Sequence, residues 1–227
     1  SYYKVVSRIF YIAINPYKII IDNPCTGVRL PRVERKNAIH TISDEDLNKF
    51  AKYMREKYPQ AYYFLQIARY TGMRLSEVYG LTWNDIDLEN RKISVNKQLQ
   101  YVKGVITFEK TKTANSVRIL PIPPILVNIL MEYKSHELEF EHDLVLNPYK
   151  KNGVKCQVNT YIKQFGDNLS AHSLRHTYAT KLLANGLDVK TVSSLLGDTP
   201  AMVMKTYLHF SSEMKAAASN AVANIFR

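Results

Sequence analysis

Twice in this chain of 227 residues, cations stand at the start of a helix, the end that disfavours them. Arg74 follows the helix-stopping Gly72 in RYTGMRLSEVYGLTW and opens a short helix over about 75–81. A guanidinium set against the helix dipole suits an arginine that meets an anion. Read alone, Arg74 is equally a surface residue. The segment SAHSLRHTYATKLL repeats the feature. Ser170 can cap a helix whose first turns hold His172, Arg175 and His176. His172 and Arg175, three apart, share one face, whereas Leu174, Tyr178 and Leu182 form another for the core. Backbone N–H groups, a guanidinium and an imidazole together suit a phosphate. The i, i+4 spacing of His172 and His176 also has the form of a zinc helix. Ser173, however, stands where HExxH needs Glu, and Arg175 would repel a cation.

Lys110 and Lys112, in KTKTANSVRILPI, fall between two predicted strands in a turn rich in Thr, Ala, Asn and Ser. Most such lysines are merely solvated, but one on a hairpin can reach a bound backbone and donate a proton. In LLGDTPAMVMKTYLHF, Gly197 ends one helix, and Thr199 with Pro200 reads as the N-cap and first-turn proline of the next. Tyr207 comes near the end of that helix. It is one of 16 tyrosines, so core packing is its plain alternative. Asp85, Asp87 and Glu89 invite a cation, but the EF-hand pattern fails at Asn90 and Asn96, and the cluster reads as a solvated edge. The sequence contains no P-loop, no Gly-rich dinucleotide fingerprint and no GxSxG.

The elements that position these residues are mostly helical. Apolar spacing predicts a helix over 3–14, and the chain begins inside that pattern, as a truncated domain would. From Asn23, NPCTGVRLPRVERK reads as an extended basic linker carrying Arg29, Arg32, Arg35 and Lys36. A compact domain begins near Ile39. Ser43 and Asp46 form a capping-box-like start to a helix over 44–58, and a second helix runs over 60–71. Alternation around 93–95, 105–108 and 117–120 predicts one three-stranded antiparallel sheet. Pro123 and Pro124 open a helix to about Glu139, and further helices are predicted over 157–168, 173–185, 189–196, 200–208 and 212–225. The fold class is therefore α+β, mostly α: packed helices with a small three-stranded antiparallel sheet.

Composition supplies the partner. The chain carries 31 basic and 20 acidic residues, a formal charge of +11, and 46% of its residues are hydrophobic. It can bury a core, and its charge points to a polyanion, with nucleic acid the first candidate. Cys25 and Cys156 stand far apart and in no CxxC pair, which excludes a disulfide framework and predicts a reducing compartment. No stretch is long and apolar enough to span a membrane, and no secretory leader is evident.

Together these segments resemble the tyrosine recombinase (phage integrase) family. TGMRLSEVYGLTWNDID is similar to its first arginine motif and HSLRHTYATKLL to its His-x-x-Arg motif. KTKT before SVRILPI is similar to its hairpin lysine, and LLGD…KTYLH to the segment ending in its nucleophilic tyrosine. The resemblance implies a last core-binding-domain helix over 1–22, a basic interdomain linker over 23–38, and a catalytic domain over 39–227 with a C-terminal helix over 212–225.

It further implies a site-specific DNA recombinase of a mobile element that works through a 3′-phosphotyrosyl intermediate, without metal, ATP or cofactor. Arg74 and Arg175 would clamp the scissile phosphate, and His172 would accept a proton. Lys112 would be the general acid, with Lys110 as its fallback, and Tyr207 the nucleophile. Glu77 would support the structure. Arg32, Arg35, Lys36 and Lys110 would bind DNA. The family usually has His where this chain has Asp198, a carboxylate that repels phosphate unless it is protonated, orients a neighbour or caps the helix at 200. The expected partner is duplex DNA at attachment or transposon-end sites, bound by a synaptic homotetramer that is a monomer when free. The expected location is the bacterial cytoplasm. The alternatives are a Xer-type dimer-resolution recombinase and a catalytically impaired DNA-binding relative.

Overall fold

The structure, a computed structural model, describes residues 2–29, 40–102, 104–110, 117–136 and 138–207. The chain divides into two compact units, Ser1–Asn37 and Ala38–Arg227. In the first, helix α1 (Tyr2–Ile14) is followed by turns that fold back on it. The Tyr3 hydroxyl donates to the Cys25 carbonyl at 2.7 Å, and Asn23 Nδ2 donates to the Ser7 carbonyl at 3.0 Å. The start of the expected extended linker is thus compact. The Asn23 side chain accepts from the Cys25 N–H at 3.0 Å, the local bond by which asparagine nucleates a turn. Arg32, Arg35 and Lys36 lie outside the described residues.

The second unit is built around one helix. Helix α2 (Asp44–Lys57) starts at Ser43, whose Oγ accepts from the Asp46 N–H at 3.1 Å. Helix α3 (Pro59–Thr71) follows and is buried on nearly every side, through Ala61, Tyr62, Tyr63, Phe64, Leu65, Gln66, Ile67 and Ala68. Such all-round burial means that other elements surround it. They are α2, α5 (Pro124–Lys134), α6 (Lys151–Ile162) and α7 (Ala171–Ala184), with α4 (Leu75–Val78) at its C-terminal end. Helix α6 begins six residues before its expected start, and its first turn includes Asn152 and Gly153, residues of low helix propensity. Helix α4 is one turn long, shorter than expected.

The strands differ from expectation in their partners. Strands β1 (Ile86–Asp87), β2 (Lys92–Val95) and β5 (Arg118–Pro121) form a three-stranded antiparallel sheet with β2 in the middle. Its register sets Ile93 opposite Ile86 and Leu120, and Val95 opposite Arg118. The 105–108 segment belongs instead to a separate hairpin of β3 (Lys97–Val102) and β4 (Val105–Lys110). A two-residue connection favours that local pairing, and β1 is too short to show any periodicity.

A second correction concerns Asp85, which is buried rather than on a solvated edge. It accepts from the Thr82 N–H at 2.9 Å, the Thr82 hydroxyl at 2.7 Å and Asn96 Nδ2 at 3.0 Å, and it pairs with Lys97. Burial works to raise its carboxyl, but Lys97, Thr82 and Asn96 hold it below the ordinary value. Asp85 therefore fastens the turn after α4 to the β2–β3 junction. Asp87 and Glu89 are exposed, as expected of an edge.

Helices α8 (Val189–Leu196) and α9 (Pro200–Tyr207) complete the described part. Ala179, Leu183, Val192, Leu196 and Val203 join α7, α8 and α9 in a smaller apolar cluster. The expected helix over 212–225 lies outside the described residues.

Candidate active site

Two turns bring the cationic groups together. Helix α3 ends at Gly72, which is left-handed at φ 64°, with its N–H on the Ala68 carbonyl at 3.0 Å. A Cβ there would lie 2.4 Å from Tyr178 Cδ1, so both conformation and space require glycine. The chain reverses and Arg74 becomes the N-cap of α4, its N–H donating to Glu77 Oε2 at 2.9 Å. Gly197, left-handed at φ 66°, ends α8 and turns Asp198 inward. The Asp198 N–H donates to the Ser193 carbonyl at 3.0 Å, which pins that turn.

Arg74 and Arg175 meet at the Asp198 carboxylate. Arg175 Nη2 donates to Asp198 Oδ2 at 2.6 Å, and Arg74 Nη2 donates to Oδ1. Neither arginine depends on Asp198 alone. Arg175 Nη1 donates to the Gly72 carbonyl at 2.9 Å and its Nη2 to the Leu196 carbonyl at 2.7 Å. Arg74 Nη1 donates to Glu77 Oε1 at 2.9 Å. The two differ in exposure: the Arg175 side chain is 4% exposed and that of Arg74 is 34% exposed. The site is open on the Arg74 side.

This geometry settles where the Asp198 side chain goes. It does not cap α9; Thr199 does so, accepting from the Met202 N–H at 3.3 Å. The reading of Asp198 as a mere helix cap is therefore wrong. Two guanidiniums at hydrogen-bonding distance compete more strongly for a carboxylate than one backbone N–H does.

A further arginine, Arg118, escaped the sequence reading. Its Nη2 donates to Glu77 Oε2 at 2.9 Å and its Nε to the Leu195 carbonyl at 2.7 Å. The signal was the period-two burial of β5, which puts Arg118 on the inner face with Leu120. Burial works to raise the Glu77 carboxyl, but Arg118 and then Arg74 outweigh it and hold Glu77 below the ordinary value. An alternating row of charges results: Arg118, Glu77, Arg74, Asp198, Arg175. It links β5, α4, the α8–α9 turn and α7.

His172 stands one turn before Arg175, at the exposed mouth of the site. Surrounding protein mass, then Arg175 and Arg74, press its imidazole below the ordinary value, against the opposite pull of Asp198. His172 is thus neutral at neutral pH and able to accept a proton. His176 lies edge to face with it, ring centres 4.7 Å apart, and burial followed by His172 itself pushes His176 down to about 4. Tyr207 is the last residue of α9, which Val203 anchors against α8. The Tyr207 side chain, the Lys110 side chain and Lys112 lie outside what the structure describes. Among the described residues, no group of three or more His, Cys, Asp or Glu is placed to hold a metal ion.

The chain as a whole has counterparts among known proteins. The model of the phage integrase family matches residues 40–214, a span that takes in every group of the site. The chain belongs to that family. It is similar to the XerC-like tyrosine recombinase of Caldanaerobacter subterraneus subsp. tengcongensis, at 30% identity over 91% of this chain and 61% of the relative. It is also similar to the ICEBs1 integrase of Bacillus subtilis, at 27% identity over 85% of this chain and 55% of that protein. The chain thus spans between half and two thirds of the length of these relatives. In fold it is similar to the Tn1549 transposon integrase, solved in complex with transposon right-end DNA. The TM-score is 0.70 at 22% identity, over 97% of this chain and 78% of the other. Among the described residues, no helix is long and apolar enough to cross a membrane.

Proposed function

We propose that this chain is the catalytic part of a site-specific DNA recombinase serving a mobile element. The observation that carries the reading is the meeting of Arg74 and Arg175, from separate elements, around one anionic group, with neutral His172 beside them. Arg74 and Arg175 hold the two non-bridging oxygens of the scissile phosphate, where attack builds negative charge. The Tyr207 phenolic oxygen attacks phosphorus and loses its proton to His172. Tyrosine is a weak nucleophile at neutral pH, so it needs this base and the cationic surroundings. The bond from phosphorus to the 5′-oxygen breaks, and Lys112 protonates the leaving oxygen, with Lys110 the fallback. The 3′-phosphotyrosyl ester keeps the bond energy, so a second 5′-hydroxyl can reverse the step without ATP. Arg32, Arg35, Lys36 and Lys110 track the DNA backbone. The partner is duplex DNA at attachment or transposon-end sites, bound in a synaptic homotetramer assembled from free monomers in the bacterial cytoplasm.

The test is a nicked suicide substrate carrying the element's own ends, followed by a denaturing gel. A covalent adduct is expected from the parent and none from Tyr207→Phe, with DNA binding nearly equal. An adduct in Tyr207→Phe would remove Tyr207 from the role. One observation favours a second reading, a DNA-binding relative that does not cut: the Asp198 carboxylate lies between the arginines. No adduct from the parent on any end sequence would select it. Exchange of attachment-site DNA separates a mobile-element enzyme from a Xer-type resolvase.

A further inference from the structure

The Asp198 carboxylate engages its two arginines in the manner of a phosphodiester. One oxygen takes Arg74 Nη2 and the other takes Arg175 Nη2, so each guanidinium holds one oxygen of the same anion. We propose that Asp198 is an internal stand-in for the scissile phosphate, keeping the arginines converged while DNA is absent and yielding its place when DNA binds. The proposal rests on the recombinase reading for the identity of the incoming anion, but not for the existence of the anion site.

Three features make the exchange feasible. The first is that each arginine has anchors of its own. Arg175 is held by the Gly72 and Leu196 carbonyls and Arg74 by Glu77, so the pocket outlasts the departure of Asp198. The second is that, among the described residues, the Asp198 side chain bonds only to these two arginines. Thr199 caps α9, and the Asp198 backbone is fixed by its own N–H on Ser193, so rotation about the side chain is enough. The side chain is 17% exposed and lies on the open side of the site, next to the more exposed Arg74. The third is charge. Between Arg74 and Arg175 the α8–α9 turn supplies one negative charge, that of Asp198. A diester carries one negative charge, as a carboxylate does, so the exchange leaves that balance unchanged. Without an anion between them, Arg74 and Arg175 would repel one another.

Inorganic phosphate tests this without DNA or catalysis. Thermal unfolding of the full chain is measured in phosphate and in chloride at matched ionic strength, for the parent, Asp198→Ala and Asp198→Asn. The parent is expected to melt at the same temperature in both salts, its site being filled already. Both variants should melt lower in chloride and recover most of the loss in phosphate. Two results overturn the proposal: equal response of the parent and both variants to phosphate, or a loss in the variants that phosphate does not restore. Asp198→Asn keeps the shape, so the test survives if Asp198→Ala fails to fold. A second arm reads adduct formation on the suicide substrate. Asp198→Asn should reach half-maximal adduct at about tenfold less DNA than the parent, a shift of ~1.4 kcal/mol. Unchanged or increased DNA demand also overturns the stand-in. The arms separate the two readings: phosphate rescue without any adduct leaves the anion site standing and sinks the recombinase, whereas adduct without rescue does the reverse.

Discussion

Arg118 and Glu77 form a buried ion pair, Nη2 to Oε2 at 2.9 Å, with side chains 4% and 3% exposed. The Arg74 guanidinium bonds to the other oxygen of the same carboxylate, so the pair lies directly behind the Arg74–Asp198–Arg175 cluster. Breaking a buried pair by removing one partner strands the other charge away from water. Glu77→Gln should therefore cost about 3–5 kcal/mol in stability, and Arg118→Met a similar amount. Urea unfolding at neutral pH checks both. The double variant Glu77→Leu/Arg118→Met should recover part of the loss, since no charge of that pair is then stranded. It should still form adduct poorly, because Arg74 has lost its rear support. A double variant with parent-like adduct yield would show that the pair serves stability alone.

The two imidazoles make stability depend on pH in a definite direction. Folding depresses His176 from the ordinary 6.5 to about 4, and it depresses His172 in the same sense. Between those values the unfolded chain binds a proton that the folded chain refuses, so stability rises with pH across the window. Acidification through the upper part of that window should weaken the fold before the carboxylates contribute. Glu77 and Asp85, held below their ordinary 4.5 and 3.8, add their losses from about those values downward, so that they overlap only the acid end of the window. His176→Asn should flatten the slope of unfolding free energy between pH 6.5 and 4. An unchanged slope would mean that His176 titrates normally in the folded chain. Adduct formation should fall on acidification to below the ordinary imidazole value, as His172 becomes protonated and can no longer accept a proton.

Salt should report on the linker. A chain of net charge +11 displaces counterions on DNA, so binding should weaken steeply with salt. Replacing Arg32, Arg35 and Lys36 together should reduce the slope of log K against log salt by up to about three, near one per lost phosphate contact. Cleavage of already bound substrate should be largely unaffected. Filter binding across a salt series measures the slope, and a parent-like slope would place these cations off the DNA.

The legible and the illegible parts of the sequence differ for physical reasons. Arg74 and Arg175 stand out in the sequence because each sets a cation near a helix start with no local compensation in view, and the structure brings the two together at Asp198. Helices α2, α3, α7, α8 and α9 were legible from caps and stops, since Ser43, Gly72, Gly197 and Pro200 act locally. Strand partners were not, because β1 has two residues and the pairing of β2 with β5 passes over the whole β3–β4 hairpin. Asp85 and Arg118 were misread or missed for a shared cause. A charged residue reads as solvated until its partner is known, and both partners, Lys97 and Glu77, come from other elements. Asp198 was noticed as a departure, but only the fold shows that two arginines claim it.

Gly72 ties folding to chemistry most directly, and its substitution separates them. Its left-handed backbone costs an alanine about 1–2 kcal/mol, and the new Cβ would meet the Tyr178 ring at 2.4 Å and Leu196 Cδ2 at 3.1 Å. Tyr178 lies on α7 three residues after Arg175, and the Gly72 carbonyl holds Arg175 Nη1 at 2.9 Å. Pushing the ring away therefore shifts Arg175 relative to Arg74. A displacement near 1 Å at a catalytic group can cost about 100-fold in rate. Gly72→Ala should thus lose about 100-fold in adduct formation at saturating DNA, while enough stability remains for most of the chain to stay folded. Adding Tyr178→Leu removes the ring but not the backbone strain. The double variant should regain part of the rate and little of the stability. Single-turnover adduct kinetics and urea unfolding on the same samples give the two readouts. A Gly72→Ala chain that unfolds more easily but cleaves at the parent rate would show that the contact of Gly72 with Arg175 does not set the clamp.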